Sequence, residues 1–135
     1  MRLSTPTDTD RVISQYLAAW NAVDTVTRMR HLQASWSETA LFRDPMACQV
    51  GRSAMHDHIA RCQASYPGCR FIVTGSPIHY LDQIHFTWAV LDTFGSELLT
   101  GSHYGELDAT GRIARLVGFF KSPAARSSSS ISASL

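Results

Sequence analysis

The chain has 135 residues, 44% of them hydrophobic and 17% charged, with a formal net charge of +1. That length fits one domain with a sizeable core, and the balanced, scattered charge removes the electrostatic case for nucleic acid or an anionic membrane as a partner. No apolar run reaches the ~20 residues of a membrane-spanning helix, and no apolar segment follows Arg2 to read as a signal peptide. The three cysteines, Cys48, Cys62 and Cys69, match no zinc or redox spacing and read as reduced thiols. A cytoplasmic protein is the expectation.

Residues 1–8 are polar and are expected to be flexible, with a folded domain over 9–121. Val12, Ile13, Tyr16, Leu17, Trp20 and Val23 recur at helical spacing, and Asp8 or Asp10 can cap the start of that helix. A second helix carries Val26, Met29, Leu32 and Trp36 on one stripe, with Asp24 or Thr25 at its N-cap. A short strand over 40–43 follows, stopped by Asp44-Pro45, because proline biases the residue before it toward an extended backbone. A loop through Gly51 leads to Ser53, the expected N-cap of a third helix with Met55, Ile59, Cys62 and Tyr66 on one face; Pro67-Gly68 ends it.

From residue 70 onward the hydrophobic period changes from helical to alternating. Segments 70–80, 83–92, 97–108 and 112–121 are rich in β-branched and aromatic residues and are separated by turn-forming clusters. Three successive hairpins make a meander, one face of which the helices must cover. The order is α-α-β-α-β-β-β-β. Residues 122–135, rich in Ser and Ala, cannot bury enough surface to offset the entropy of ordering them and are expected to be a disordered tail.

Alternation places Ala40, Phe42 and Asp44 on one side of the first strand. A carboxylate drawn inward beside Phe42 would have its pKa raised by desolvation, which suits a general base. Tyr16 lies in the apolar stripe of the first helix, so its hydroxyl must find a partner in the interior. Leu99, Gly101, His103, Gly105 and Leu107 share a face of the penultimate strand, and two glycines flanking a histidine would leave room beside the imidazole. Ile84, Phe86, Trp88 and Val90 form the neighbouring apolar face, with Phe120 nearby. Together these residues would make an apolar pocket with three polar groups.

Each has a plainer alternative: a core tyrosine bonded to backbone, an aspartate that stabilises a turn, and a histidine facing water. His56-Asp57-His58 is not a metal site, because neighbours two apart on a helix point about 200° away from each other, and His56 is expected to be solvated. His79 and His85 flank a tight hairpin and could face one another.

Four local sequences in this order resemble the nuclear transport factor 2-like superfamily, in its SnoaL-like and ketosteroid-isomerase-like branch. They are Tyr16-Leu17-Ala18-Ala19-Trp20-Asn21 ahead of Asp24, Phe42-Arg43-Asp44-Pro45 followed by Gly51, the hairpin from Glu106 to Ile113, and Gly118-Phe119-Phe120; the match spans about residues 8–121. The resemblance implies a cone-like α+β barrel, with the N-terminal helices packed in the concave face of a curved antiparallel (mixed) sheet. It further implies a cofactor-independent isomerase or dehydratase acting on a small hydrophobic carbonyl compound. In such a site Asp44 is the base, and Tyr16 is an oxyanion donor. His103 stands where the ketosteroid isomerases keep a protonated aspartic acid as second donor. His79, His85 and His103 keep a scytalone-dehydratase-like reaction open.

Trp88, Phe86, Trp20, Phe42, Phe120 and Leu99 are the expected substrate-binding residues; no metal or organic cofactor is implied. The alternative function is a non-catalytic binding domain for a small hydrophobic ligand. Both faces of the last strand are apolar, so a homodimer is expected.

Overall fold

A computed structural model of the chain describes residues 6–121; of the start expected to be flexible over 1–8, residues 1–5 lie outside this range while Pro6 to Asp8 open a helix, and the tail expected over 122–135 lies outside it. Helix α1 runs Pro6–Asn21 and α2 Thr25–Ser35. Strands β1 (Trp36–Asp44) and β2 (Ala47–Val50) follow, then α3 (Arg52–Ser65), and finally β3 (Arg70–Tyr80), β4 (Gln83–Leu91), β5 (Glu97–Leu107) and β6 (Ile113–Lys121). The six strands form one mixed sheet in the order β2-β1-β6-β5-β4-β3. The β3–β6 meander is antiparallel throughout, while β1 runs parallel to β6. The curved sheet does not close: β2 and β3 remain as edges, so the cone is open.

The helices lie on one face of the sheet, the inner face below. Ile13, Tyr16, Leu32, Trp36, Phe42, Met55, Ile59, Phe86, Ile113 and Leu116 are its most deeply buried apolar side chains. Three tethers fix where α1 sits. Asn21 exchanges two hydrogen bonds with Phe71 in β3, its amide donating to the Phe71 carbonyl and its carbonyl accepting from the Phe71 N–H, each at 2.9 Å. Gln63 on α3 donates to the carbonyls of Trp20 (2.6 Å) and Ala22 (2.7 Å). Arg28 on α2, itself buried, donates to the carbonyls of Ala22 (3.1 Å) and Val23 (3.4 Å) and to Gln63 Oε1 (2.5 Å). The last carbonyls of a helix have no partner of their own, and here all three helices converge to satisfy them.

Several local expectations need correction. Val23 is 91% exposed because α1 has already ended at Asn21, and Val26 is also exposed. Ala19 on α1 and Arg28 on α2 are buried instead. Trp36 begins β1 rather than closing α2, as the Trp36 N–H reaches back to the Leu32 carbonyl while its backbone is extended. Asp24 does cap α2, accepting from the Thr27 N–H at 2.8 Å. The first strand is more than twice the expected length, and β2 was not expected at all: Asp44-Pro45 makes a tight turn, with Ala47 paired back against Asp44. Gly51, at φ 96°, is the N-cap of α3, not Ser53. His56 is buried at 7% exposure, with Arg28 Nη1 3.5 Å from its Nε2, instead of solvated.

Candidate active site

The register of the sheet decides which side chains meet. His103 pairs with Phe86 on one side and Gly118 on the other. One position along β6 from the Arg43–Val117 pair, Asp44 flanks Gly118 across the parallel β1–β6 ladder. Asp44, Gly118, His103 and Phe86 thus form one row across four strands on the inner face. Gly118 is the open place in that row. A methyl group there would lie 2.5 Å from His103 Cδ2, 2.6 Å from its Nε2 and 3.6 Å from Asp44 Cβ, so the imidazole rests flat over the glycine.

Tyr16 comes down from α1 onto this row, its ring edge-on to His103 with centroids 6.0 Å apart. It stacks on Trp36 at 5.6 Å and meets Trp20 and Phe86 edge-on. Around His103 the rings of Phe86, Trp88 and Phe42 lie at 5.3, 5.5 and 5.9 Å. Phe120 packs on Trp88, and Leu99 pairs with Val90 at the margin of the same inner face.

Among the described residues, two buried polar atoms at the centre find no hydrogen-bond partner: the Tyr16 hydroxyl and His103 Nδ1; the indole N–H groups of Trp20 and Trp88 are likewise unpaired there. The Trp20 indole stands near enough to the Tyr16 hydroxyl to favour its phenolate slightly, yet outside hydrogen-bonding geometry. Native interiors rarely strand such groups. Burial drives the Tyr16 pKa far above its ordinary value, the nearby Asp44 charge adding to the effect, and pushes His103 down to about 3. Both are therefore neutral throughout the physiological range, the phenol carrying an O–H and the imidazole one N–H to donate.

Asp44 is half-buried at the edge of this cluster. Its Oδ1 accepts from the Met46 N–H at 2.8 Å, so it does stabilise the β1–β2 turn. Its charge is also felt inward, at Tyr16 on α1 and at His58 and Cys62 on α3. The two readings of this residue coexist.

Other expectations fail. Gly101 and Gly105 do not open space beside His103: the Trp88 ring occupies the room over Gly101, and Leu116 and Ile84 fill that over Gly105. The interior is accordingly packed, with Tyr16 at 0% and His103 at 2% exposure. Two surface hollows stand out, and neither is lined by Tyr16, Asp44 or His103. One, of about 560 Å³, includes Trp88 and Phe120 but opens among the outward-facing Thr74, Thr87, Ser102 and Phe119. The other, of about 330 Å³, lies between α1 and β3 beside Leu17 and Val73. His79 and His85 do not face each other, because the hairpin register pairs His79 with Ile84 and Ile78 with His85. His85 is turned outward and packs on Tyr104 at 4.3 Å, which removes it from the site.

His58 and Cys62 were not assigned to the site from the sequence, although Cys62 was placed on the apolar face of the third helix. They follow Met55 and Ile59 at helical spacing, and His58 on that face packs its ring on Phe42 of β1. Reading His58 with its chain neighbours His56 and Asp57 obscured the i, i+4 relation to Cys62.

No protein-family model matches this sequence, and no curated protein does. Solved structures do. A candidate isomerase of the SnoaL-like family from Agrobacterium tumefaciens C58 is 28% identical over 85% of this chain and 98% of its own, with a TM-score of 0.80. A protein of unknown function with a cystatin-like fold from Methylobium petroleophilum PM1 is 16% identical, covering 90% of this chain and 81% of its own (TM-score 0.74). A candidate polyketide cyclase from Sinorhizobium meliloti is 19% identical, covering 85% and 99% (TM-score 0.62). The three-helix, open mixed-sheet architecture and these neighbours show that the chain has the nuclear transport factor 2-like fold, and its similarity to the SnoaL-like structure supports the SnoaL-like branch.

Proposed function

We propose that the protein is a cofactor-independent acid–base enzyme, of isomerase or dehydratase type, acting on a small hydrophobic carbonyl compound. The observation that carries this reading is the pair of unpartnered polar atoms, Tyr16 Oη and His103 Nδ1, buried among aromatic rings beside a row that ends in the Asp44 carboxylate. Two neutral donors are suited to a carbonyl oxygen that gains charge when a proton leaves the adjacent carbon. Each such donor contributes about 3–4 kcal/mol to the transition state. Asp44 takes the proton. Returning it to another carbon gives isomerisation, and losing a hydroxyl gives dehydration. Because the interior is packed, substrate entry requires the half-buried members of the cluster, Trp20, Phe120 and Leu99, to move aside.

The test is α-proton exchange of a simple cyclic ketone in heavy water, followed by NMR. The protein should accelerate exchange, and Asp44→Asn should reduce the rate by roughly 100-fold or more. Exchange that survives in Asp44→Asn refutes the assignment of the base.

A specific observation favours a second reading, a domain that binds a hydrophobic ligand without turning it over. Neither surface hollow reaches the three polar groups. Under that reading Asp44→Ala retains or improves ligand affinity. For either function we expect a homodimer formed through the outer face, where Tyr104 and Phe119 are more than half exposed. Light scattering that gives a monomer at micromolar concentration would contradict this.

A further inference from the structure

We infer that His58 is a second proton-handling residue of this site, forming with Asp44 a relay that returns a proton to a different substrate atom from the one Asp44 deprotonates. The inference rests on the acid–base reading above and goes further by dividing removal and return between two groups. Three observations support it. First, His58 projects from α3 into the same aromatic cluster, its ring perpendicular to Trp20 at 5.8 Å and 5.3 Å from Phe42, the residue two before Asp44 on the same face of β1. Second, the imidazole is only weakly tethered by hydrogen bonding, its Nε2 standing 3.8 Å from Cys62 Sγ. The other buried histidine of α3, His56, meets Arg28, Asp57 and the Thr25 carbonyl. Third, His58 is half-buried, so it can exchange protons with solvent while His103, at 2% exposure, cannot.

The groups that face His58 from the elements around it are few. Asp44 from β1 raises its pKa; Arg61 on its own helix lowers it; Cys62 is adjacent, and α1 contributes the uncharged Trp20. Burial outweighs these, so the net shift is downward and the resting imidazole is neutral at pH 7. The neutral imidazole has a free ring nitrogen able to accept a proton that Asp44 has captured.

For a β,γ-unsaturated ketone the steps balance as follows. The α C–H bond breaks, its proton going to the Asp44 carboxylate and its electron pair into a dienolate whose oxygen is held by Tyr16 and His103. The proton passes from Asp44 to His58, directly or through water. The γ carbon then takes a proton from the imidazolium, the double bond moves into conjugation, and both residues regain their resting forms. A single carboxylate would carry the substrate's own proton across; a relay open to solvent exchanges it.

The probe is the cyclohexenone isomer whose double bond lies one carbon out of conjugation, turned over in heavy water, with the deuterium content of the conjugated product read by mass spectrometry. Wild-type protein should give product labelled at the γ carbon. His58→Gln, and His58→Asn as a second variant, should lower turnover roughly 10- to 100-fold, lose the imidazole limb of the pH–rate profile, and give product that retains more of its original proton. His58 variants that match wild type in rate, profile and label overturn the relay while leaving Asp44 as the base. Full turnover by Asp44→Asn overturns the acid–base reading itself. If the wild-type protein does not turn the probe over, heteronuclear NMR of the imidazole nitrogens decides instead. A fall in the His58 titration midpoint in Asp44→Asn supports the coupled pair, and an unchanged midpoint overturns it.

Discussion

Gly118→Ala offers a sharp test of how the candidate site is built, because it adds one methyl group at a place where the structure leaves none. The backbone there does not have positive φ, so alanine is allowed, and reduced freedom of the unfolded chain favours it by about 0.4–1 kcal/mol. The new Cβ would meet His103 Cδ2 at 2.5 Å and Nε2 at 2.6 Å, about 1 Å inside ordinary contact. The imidazole has little room to retreat: Phe86, Trp88 and Phe42 surround it at 5.3–5.9 Å between centroids. Overpacking of this kind costs about 1–3 kcal/mol, which leaves a net loss of about 0.5–2 kcal/mol. Urea unfolding should show the midpoint falling with an unchanged m-value. The decisive measurement is the cycle with His103→Ala. With the ring removed, the alanine fits and even fills space, so its cost should vanish and the coupling energy should fall in the range of about 0.5–3 kcal/mol. Equal costs of Gly118→Ala with and without His103 would refute the picture of an imidazole lying on the glycine.

Three further outcomes follow from the same geometry. His103 is held neutral with its pKa near 3, whereas the unfolded residue titrates near 6.5, so below about pH 6 the unfolded chain binds the additional proton. Stability should be complete above pH 7 and fall by roughly 1.4 kcal/mol per pH unit as the pH drops below 6; denaturant melts of His103→Gln should be much flatter there, and an equally steep variant would contradict the assignment. Arg28→Met keeps the volume but strips the Ala22 and Val23 carbonyls and Gln63 of a charged donor, so unfolding free energy should drop by about 2–3 kcal/mol. Leu81, in the β3–β4 turn, has φ of 55° and is half exposed. Leu81→Asn should raise the thermal midpoint, the relief being on the order of 1 kcal/mol, and a fall would mean that the leucine side chain packs usefully.

The meander was legible in the sequence because alternation over long segments is set by the pleat alone. Arg70–Tyr80 is recovered to the residue, and the other three long strands to within one. What local pattern could not disclose was the parallel β1–β6 pairing, since Trp36 and Ile113 are brought together by a crossover that no hairpin signal marks. For the same reason β2 was missed. Its four residues have no period to read, and it exists because Asp44 and Pro45 form a tight turn where a plain strand end was expected.

The glycines show why the site itself was harder to read than the fold. In a sequence, glycine beside histidine looks like vacant space, but vacancy depends on what the neighbouring strand puts there. Gly101 and Gly105 share a strand and a face with His103, yet cross-strand neighbours claim their volume, Trp88 in one case and Leu116 with Ile84 in the other. The glycine that accommodates the imidazole is Gly118, fifteen residues away in the chain and directly opposite in the register. The same holds for His58, which sequence neighbours linked to His56 and Asp57 and which packing links to Trp20, Phe42 and Asp44. Chemistry in this fold is assembled across the sheet and between layers. One strand read alone can therefore nominate a side chain but cannot say what space or partner it will have. Those follow only when β5 is laid against β6 and α3 against β1.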